Sequence, residues 1–113
     1  MEYKADIIDG VAVLRPRGRL DASQAESFKR QFAIRPEGAI QVVLDLEGVD
    51  FIDSTGLGAI VACLKRVGEM GGDIKVSGLN PKTRMIFEIT RAHRVFDIFD
   101  DARSAAAAFQ NPV

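Results

Sequence analysis

The stretch Ile40–Ser77, IQVVLDLEGVDFIDSTGLGAIVACLKRVGEMGGDIKVS, decides the fold. Its opening, Ile40 to Leu46, contains Val42-Val43-Leu44, a near-continuous apolar run suited to a strand covered on both faces. After a loop around Gly48, Leu57, Ile60, Val61 and Leu64 mark one face of a helix running from about Ser54 to Glu69 or Met70. Gly71-Gly72 supplies its stop, and Asp73 to Ser77 reads as a second strand. Strand, helix and strand then form a crossover unit, which is right-handed in nearly all proteins and makes its two strands parallel. An α/β sheet is predicted.

Working outward, Tyr3 to Ile8 and Val11 to Arg17 flank Asp9-Gly10, a dipeptide that accepts the positive φ angles of a tight hairpin turn. A first helix follows, with Asp21 or Ser23 expected to cap it and Glu26 to complete a capping box. Ala25, Phe28 and Phe32 lie on its apolar face, and its end is expected near Arg35-Pro36. Downstream, Asn80-Pro81 starts a helix whose expected buried side is Met85, Ile86 and Ile89. Arg91 to Arg94 reads as a turn, Val95 to Phe99 as a short strand, and Ala102, Ala105, Ala106 and Phe109 as one face of a closing helix. The tail from Gln110 to Val113 is expected to fray.

Composition narrows the function classes. A chain of 113 residues, 47% of them hydrophobic, fits one domain over residues 1–113, since that length buries roughly two-thirds of its unfolded surface. The 15 basic side chains nearly cancel the 16 acidic ones, so no broad field attracts phosphate backbones, and nucleic-acid binding is not expected. The apolar run Ala59 to Leu64 is far shorter than the roughly 20 residues of a membrane helix, and Met1 to Asp6 has no signal-peptide pattern. A cytoplasmic, reduced setting is therefore expected, with no membrane insertion. The only cysteine, Cys63, reads as a small buried hydrophobe.

The oddest stretch is Asp53-Ser54-Thr55-Gly56-Leu57-Gly58, where a carboxylate and two hydroxyls stand between an apolar run and a helix start. Simple capping by Asp53 or Ser54 would be worth about 1 kcal/mol. It leaves unexplained why Gly56 and Gly58 occupy the first helical turns, each at a cost of up to about 1 kcal/mol against alanine. A bare backbone beside an exposed hydroxyl admits a second protein, and free amides at a helix start favour an anion. A phosphorylatable Ser54 satisfies both demands, because phosphate beside Asp53 would add charge to a docking surface while the helix amides still stabilise its oxygens.

Enzymatic motifs are missing. The aspartic-protease signature needs glycine directly after the hydroxyl residue and a second carboxylate motif, and neither is present. A G-x-S-x-G elbow, a P-loop and a G-x-G-x-x-G after a strand are all absent from the sequence, as is any histidine or cysteine cluster with metal-ligand spacing. The single histidine, His93, is expected on the surface or in a turn. Arg15, Arg17 and Arg19 alternate along a strand and read as a solvated face, whereas Arg91, Arg94 and Arg103 are expected to pair locally with Asp97, Asp100 and Asp101.

Taken together, Gly18-Arg19-Leu20-Asp21, Val43-Leu44-Asp45-Leu46, the block Phe51-Ile52-Asp53-Ser54-Thr55-Gly56-Leu57-Gly58, and Gly71-Gly72 resemble the STAS domain family, in particular its free-standing bacterial anti-sigma factor antagonists. The resemblance spans almost the whole chain. It implies an α/β single domain with a mixed sheet of four to five strands and about four helices packed mainly on one face. It also implies that Ser54 is phosphorylated by a partner that is both anti-sigma factor and serine-protein kinase. In that scheme the unphosphorylated chain binds the partner and releases a sigma factor, and a phosphatase resets the switch.

By the same resemblance Asp21 lies beside the phosphorylation site, Asp53 and Thr55 help shape it, and Ser54, Thr55, Gly56, Leu57 and Gly58 contact the partner. No catalytic residue, metal or resident cofactor is implied, and nucleotide enters only with the kinase. The segment Thr90 to Phe99 departs from the family's antagonists and bears on which partner is bound. Two rival readings remain open at this stage: a structural subunit of a transporter or signalling complex that is never phosphorylated, and a domain that binds and hydrolyses nucleotide at Asp21 and Ser54.

Overall fold

The computed structural model of the chain describes residues 1–110. The hairpin forms as predicted: β1 (Glu2–Ile8) and β2 (Val11–Leu20) pair antiparallel around Asp9 and Gly10, whose φ angles are 50° and 81°. Then come α1 (Ala25–Ala33), β3 (Gln41–Asp45), β4 (Val49–Ile52), α2 (Ser54–Glu69), β5 (Asp73–Ser77), α3 (Pro81–Ile89), β6 (Asp97–Phe99) and α4 (Ala102–Gln110). Short 3-10 turns occupy Pro36–Gly38 and Ala92–Arg94.

Among the described residues the sheet runs β1-β2-β3-β5-β6, a five-strand path that is parallel from β2 onward. The expected crossover is there, with β3 and β5 paired parallel from Gln41–Asp73 to Asp45–Ser77. A sixth strand, β4, branches off and pairs parallel with the end of β2. Only four residues long, it lies where the sequence reads as the end of a loop, and tertiary pairing with Arg19 and Leu20 is what makes it a strand.

The helices divide three to one. Phe28 and Phe32 of α1, Leu57, Ile60, Cys63 and Val67 of α2, and Phe87 of α3 join Val42, Leu44, Ile74 and Val76 in the main core. On the opposite face α4 seats Ala102, Ala105 and Ala106 on Val11, Val13 and Val43. Residues of alternate parity on β3 thus enter separate cores, which is why this strand reads as an unbroken apolar run. Alanine suits α4 because it lets helix and sheet approach closely at no side-chain entropy cost.

Several local expectations are corrected. α1 is preceded by Gln24 with no side-chain cap, because the Asp21 carboxylate is bonded to Ser23 and Glu26 is paired with Lys29 at 2.8 Å. On α3 the buried residues are Thr83 and Phe87, one turn apart, while Met85 and Ile89 are exposed. The Asn80–Thr83 capping box turns this helix, and Asn80 Nδ2 ties its start to the Val49 carbonyl at 3.2 Å. Among the described residues Arg91, Arg94 and Arg103 form no salt bridge. Asp97 is taken by Lys75 of the neighbouring strand at 2.8 Å, and Asp101 accepts from the Ser104 amide at 2.7 Å. Gln110, the first residue of the expected frayed tail, donates to the Asp9 carbonyl at 2.8 Å; the rest of that tail lies outside the described residues.

Cys63 is buried, and that burial pushes its thiol up to about 11. The thiolate is the reactive form, so alkylation of the native protein should be slow at neutral pH and accelerate as pH nears 11. Iodoacetamide labelling followed by mass spectrometry checks this, with denatured protein as the fast control.

Candidate partner-docking site

The site forms where β2, β4 and α2 converge. Asp53 is the N-cap of α2: one carboxylate oxygen accepts from the Gly56 amide at 2.7 Å, and the other accepts from the Ala22 amide at 3.1 Å. Its own amide donates to the Leu20 carbonyl at 3.3 Å. One side chain thereby fastens the helix start to the loop after β2. Replacing it, as Asp53→Ala, should cost about 1–2 kcal/mol, the size of a lost cap, in a urea denaturation experiment.

With capping assigned to Asp53, Ser54 is the first residue of α2 and is exposed, as is Thr55 beside it. The Leu57 amide donates to the Asp53 carbonyl at 2.9 Å and Gly56 serves the cap, which leaves the amides of Ser54 and Thr55 at the open end of the helix. The Ser54 position therefore combines an accessible hydroxyl with the positive end of the helix dipole.

Asp21 stands next to Ala22, in the loop that Asp53 holds, and its carboxylate is engaged by Ser23 and Arg19. A hydrogen bond from the Ser23 hydroxyl, followed by that of its amide and the charge of Arg19, outweighs desolvation and holds the Asp21 carboxyl below the usual carboxylate range. It is ionised at neutral pH. Arg19, assigned from sequence to a solvated face, lies over the Phe51 ring at 4.1 Å and reaches Asp21 at 3.7 Å. Nothing in the strand alternation marks this role, because Phe51 reaches Arg19 only through the β2–β4 pairing.

The two glycines part company. A Cβ on Gly56 would stand 2.0 Å from the Leu20 carbonyl oxygen, so this glycine is bare because β2 crosses it, not because a partner must reach it. Gly56 is buried, which removes it from the expected contact surface. Leu57, 5% exposed, belongs to the core and reaches the surface only as part of a groove wall. Gly58 is exposed and meets nothing, consistent with a bare surface.

That groove, of about 410 Å³, begins at Ser54 and Gly58, passes Val61 and Lys65, and is closed on its far side by Arg91 and Val95. Val95 is 58% exposed, and Arg91 adopts a left-handed φ of 62°. The sequence reads Arg91 to Arg94 as a turn and Val95 as the start of a strand; the turn is present, but β6 begins only at Asp97, which leaves Val95 at the end of the turn on the groove. His93 lies in that turn, exposed, with Nδ1 3.2 Å from the Phe87 carbonyl. No helix of the described residues is long and apolar enough to cross a membrane.

An exposed serine at a helix start thus sits on an α/β sheet beside an open groove. The chain belongs to the STAS domain family, which matches residues 2–105. It is 31% identical over 111 residues to BtrV of Bordetella bronchiseptica, assigned as an anti-sigma factor antagonist, with 97% of this chain and 96% of that one covered. It is 29% identical to the anti-sigma F factor antagonist of Paenibacillus polymyxa, covering 85% and 84% of the two chains. A crystal structure from Thermotoga maritima, likewise assigned as an anti-sigma factor antagonist, superposes with a TM-score of 0.89 at 28% identity, covering 96% and 95%. The chain is thus a member of the anti-sigma factor antagonist group of STAS proteins, which are non-enzymatic regulators.

Proposed function

We propose that the unphosphorylated chain docks on an anti-sigma factor that is also a serine-protein kinase, displaces a sigma factor from it, and is inactivated when that kinase phosphorylates Ser54. The observation that carries this reading is the exposed Ser54 at the first position of α2, with its cap supplied by Asp53 rather than by its own hydroxyl. A kinase can approach it without unfolding the helix start. Phosphate there adds roughly 1.5 to 2 negative charges close to the carboxylate of Asp53, at the centre of the surface the partner covers. Ser54, Thr55 and Gly58 form the exposed part of that surface, Asp21 and Asp53 hold it in shape, and Leu57 backs it from the core.

In this scheme nucleotide is brought by the kinase, a phosphatase restores the hydroxyl, and the switch operates in the cytoplasm. The test is incubation with a candidate anti-sigma kinase and ATP, followed by mass spectrometry. Phosphate is expected on Ser54; phosphate found only on Thr55 or elsewhere rejects the assignment.

A further inference from the structure

We infer that two copies of this chain associate through their β1 strands, edge to edge and antiparallel about Ala5. β1 ends the sheet, and among the described residues nothing pairs with its outer edge. The two-residue Asp9-Gly10 turn makes Ile8 and Val11 the first hydrogen-bonded pair, so by alternation Tyr3, Ala5 and Ile7 aim their amides and carbonyls away from β2. In keeping with this, the Ile7 amide is bonded to its neighbour Asp6 at 2.8 Å rather than to β2. An edge of this kind pairs readily unless its charges forbid it.

Here the charges favour it. With Ala5 opposite Ala5 of the second copy, Lys4 falls opposite Asp6 and Asp6 opposite Lys4, in the closely spaced class of antiparallel pairs where side chains interact best. Other registers lose this match: a shift of two residues in either strand sets Lys4 against Lys4 or Asp6 against Asp6. Both side chains are exposed, and Asp6 is already steered to that face by Arg15 at 3.3 Å.

The other face supplies the apolar half of the interface. Tyr3, whose hydroxyl donates to Ser27 at 3.3 Å, walls an apolar cavity of about 200 Å³ together with Ala5, Leu14, Phe28 and Phe32. Ile7 is 49% exposed, and in the stated register Ile7 of the second copy stands opposite Tyr3, at the cavity. Ile34, 74% exposed at the cavity rim, gains cover at the same time. The roughly six main-chain hydrogen bonds of such a pairing arise by symmetry from three residues per copy. α2 and Ser54 do not line this cavity, so the association does not depend on the phosphorylation reading.

Sedimentation equilibrium on the purified chain, without any kinase, tests the inference. A concentration-dependent dimer is expected. Asp6→Lys, which sets Lys4 against a lysine, and Ile7→Lys, which places a charge at the cavity, should each weaken it by about tenfold or more. The double variant Lys4→Asp with Asp6→Lys reverses both charges, returns a carboxylate to the vicinity of Arg15, and should recover association. Thermal melts monitor folding throughout. A chain that stays monomeric at every concentration, variants that dimerise as the parent does, or a double variant no better than Asp6→Lys would overturn the proposal.

Discussion

Ser54→Asp is expected to lower affinity for the cognate anti-sigma factor by about a hundred- to a thousandfold, while Ser54→Ala binds as the parent does and accepts no phosphate. A loss of that size corresponds to about 3–4 kcal/mol, which like-charge juxtaposition inside an interface can supply. The fold does not share the loss. Ser54 is exposed, Asp53 carries the cap, and a carboxylate in the first turn of a helix is, if anything, favourable by about 0.3–1 kcal/mol. The protein should therefore melt normally yet fail to bind, a combination that separates a docking effect from unfolding. Calorimetric titration against the kinase, beside a thermal melt of each variant, reads both. Equal affinity for Ser54→Asp and the parent would point instead to the structural-subunit reading.

The second large effect concerns Gly56 and has the opposite character: stability falls. In Gly56→Ala the new methyl would lie 2.0 Å from the Leu20 oxygen and 2.8 Å from the Leu20 carbonyl carbon. Both atoms are backbone in β2, so relief requires α2 to lift from the sheet. Overpacking of this kind costs about 3 kcal/mol, and with a shift of roughly 4 °C per kcal/mol the melting temperature should drop by about 12 °C. Gly58→Ala is the control. It points into open space and is helical, so alanine should stabilise by up to about 1 kcal/mol. Both variants in one denaturation series would show whether two glycines in a shared motif serve different ends. Equal responses would refute the division.

Some of this could be read directly from the residues. Asp9-Gly10 names its hairpin because few dipeptides accept consecutive positive φ angles. Val42-Val43-Leu44 identifies a central strand because both its faces meet apolar helices. Ser54 stands out because a hydroxyl, a carboxylate and the exposed Gly58 at a helix entrance exceed what capping requires, whereas Gly56 is accounted for by the Leu20 carbonyl beside it. These are local signals, set by backbone sterics and by the periodicity of burial.

Other features have no local signature. The burial of Thr83 and Phe87 in place of Met85 and Ile89 depends on how Asn80 anchors α3 to β4, a rotation of the helix that composition does not encode. Asp97 pairs with Lys75 because β5 and β6 are in register, and Arg19 joins the site because β4 pairs with β2. The sequence alone determined the order of the elements other than β4, the sheet class and the candidate serine, since each follows from steric and hydrophobic preferences of near neighbours. Only the tertiary structure decided which carboxylate caps, which glycine is a fold requirement and which arginine reaches the site, because those outcomes depend on atoms brought together from distant parts of the chain.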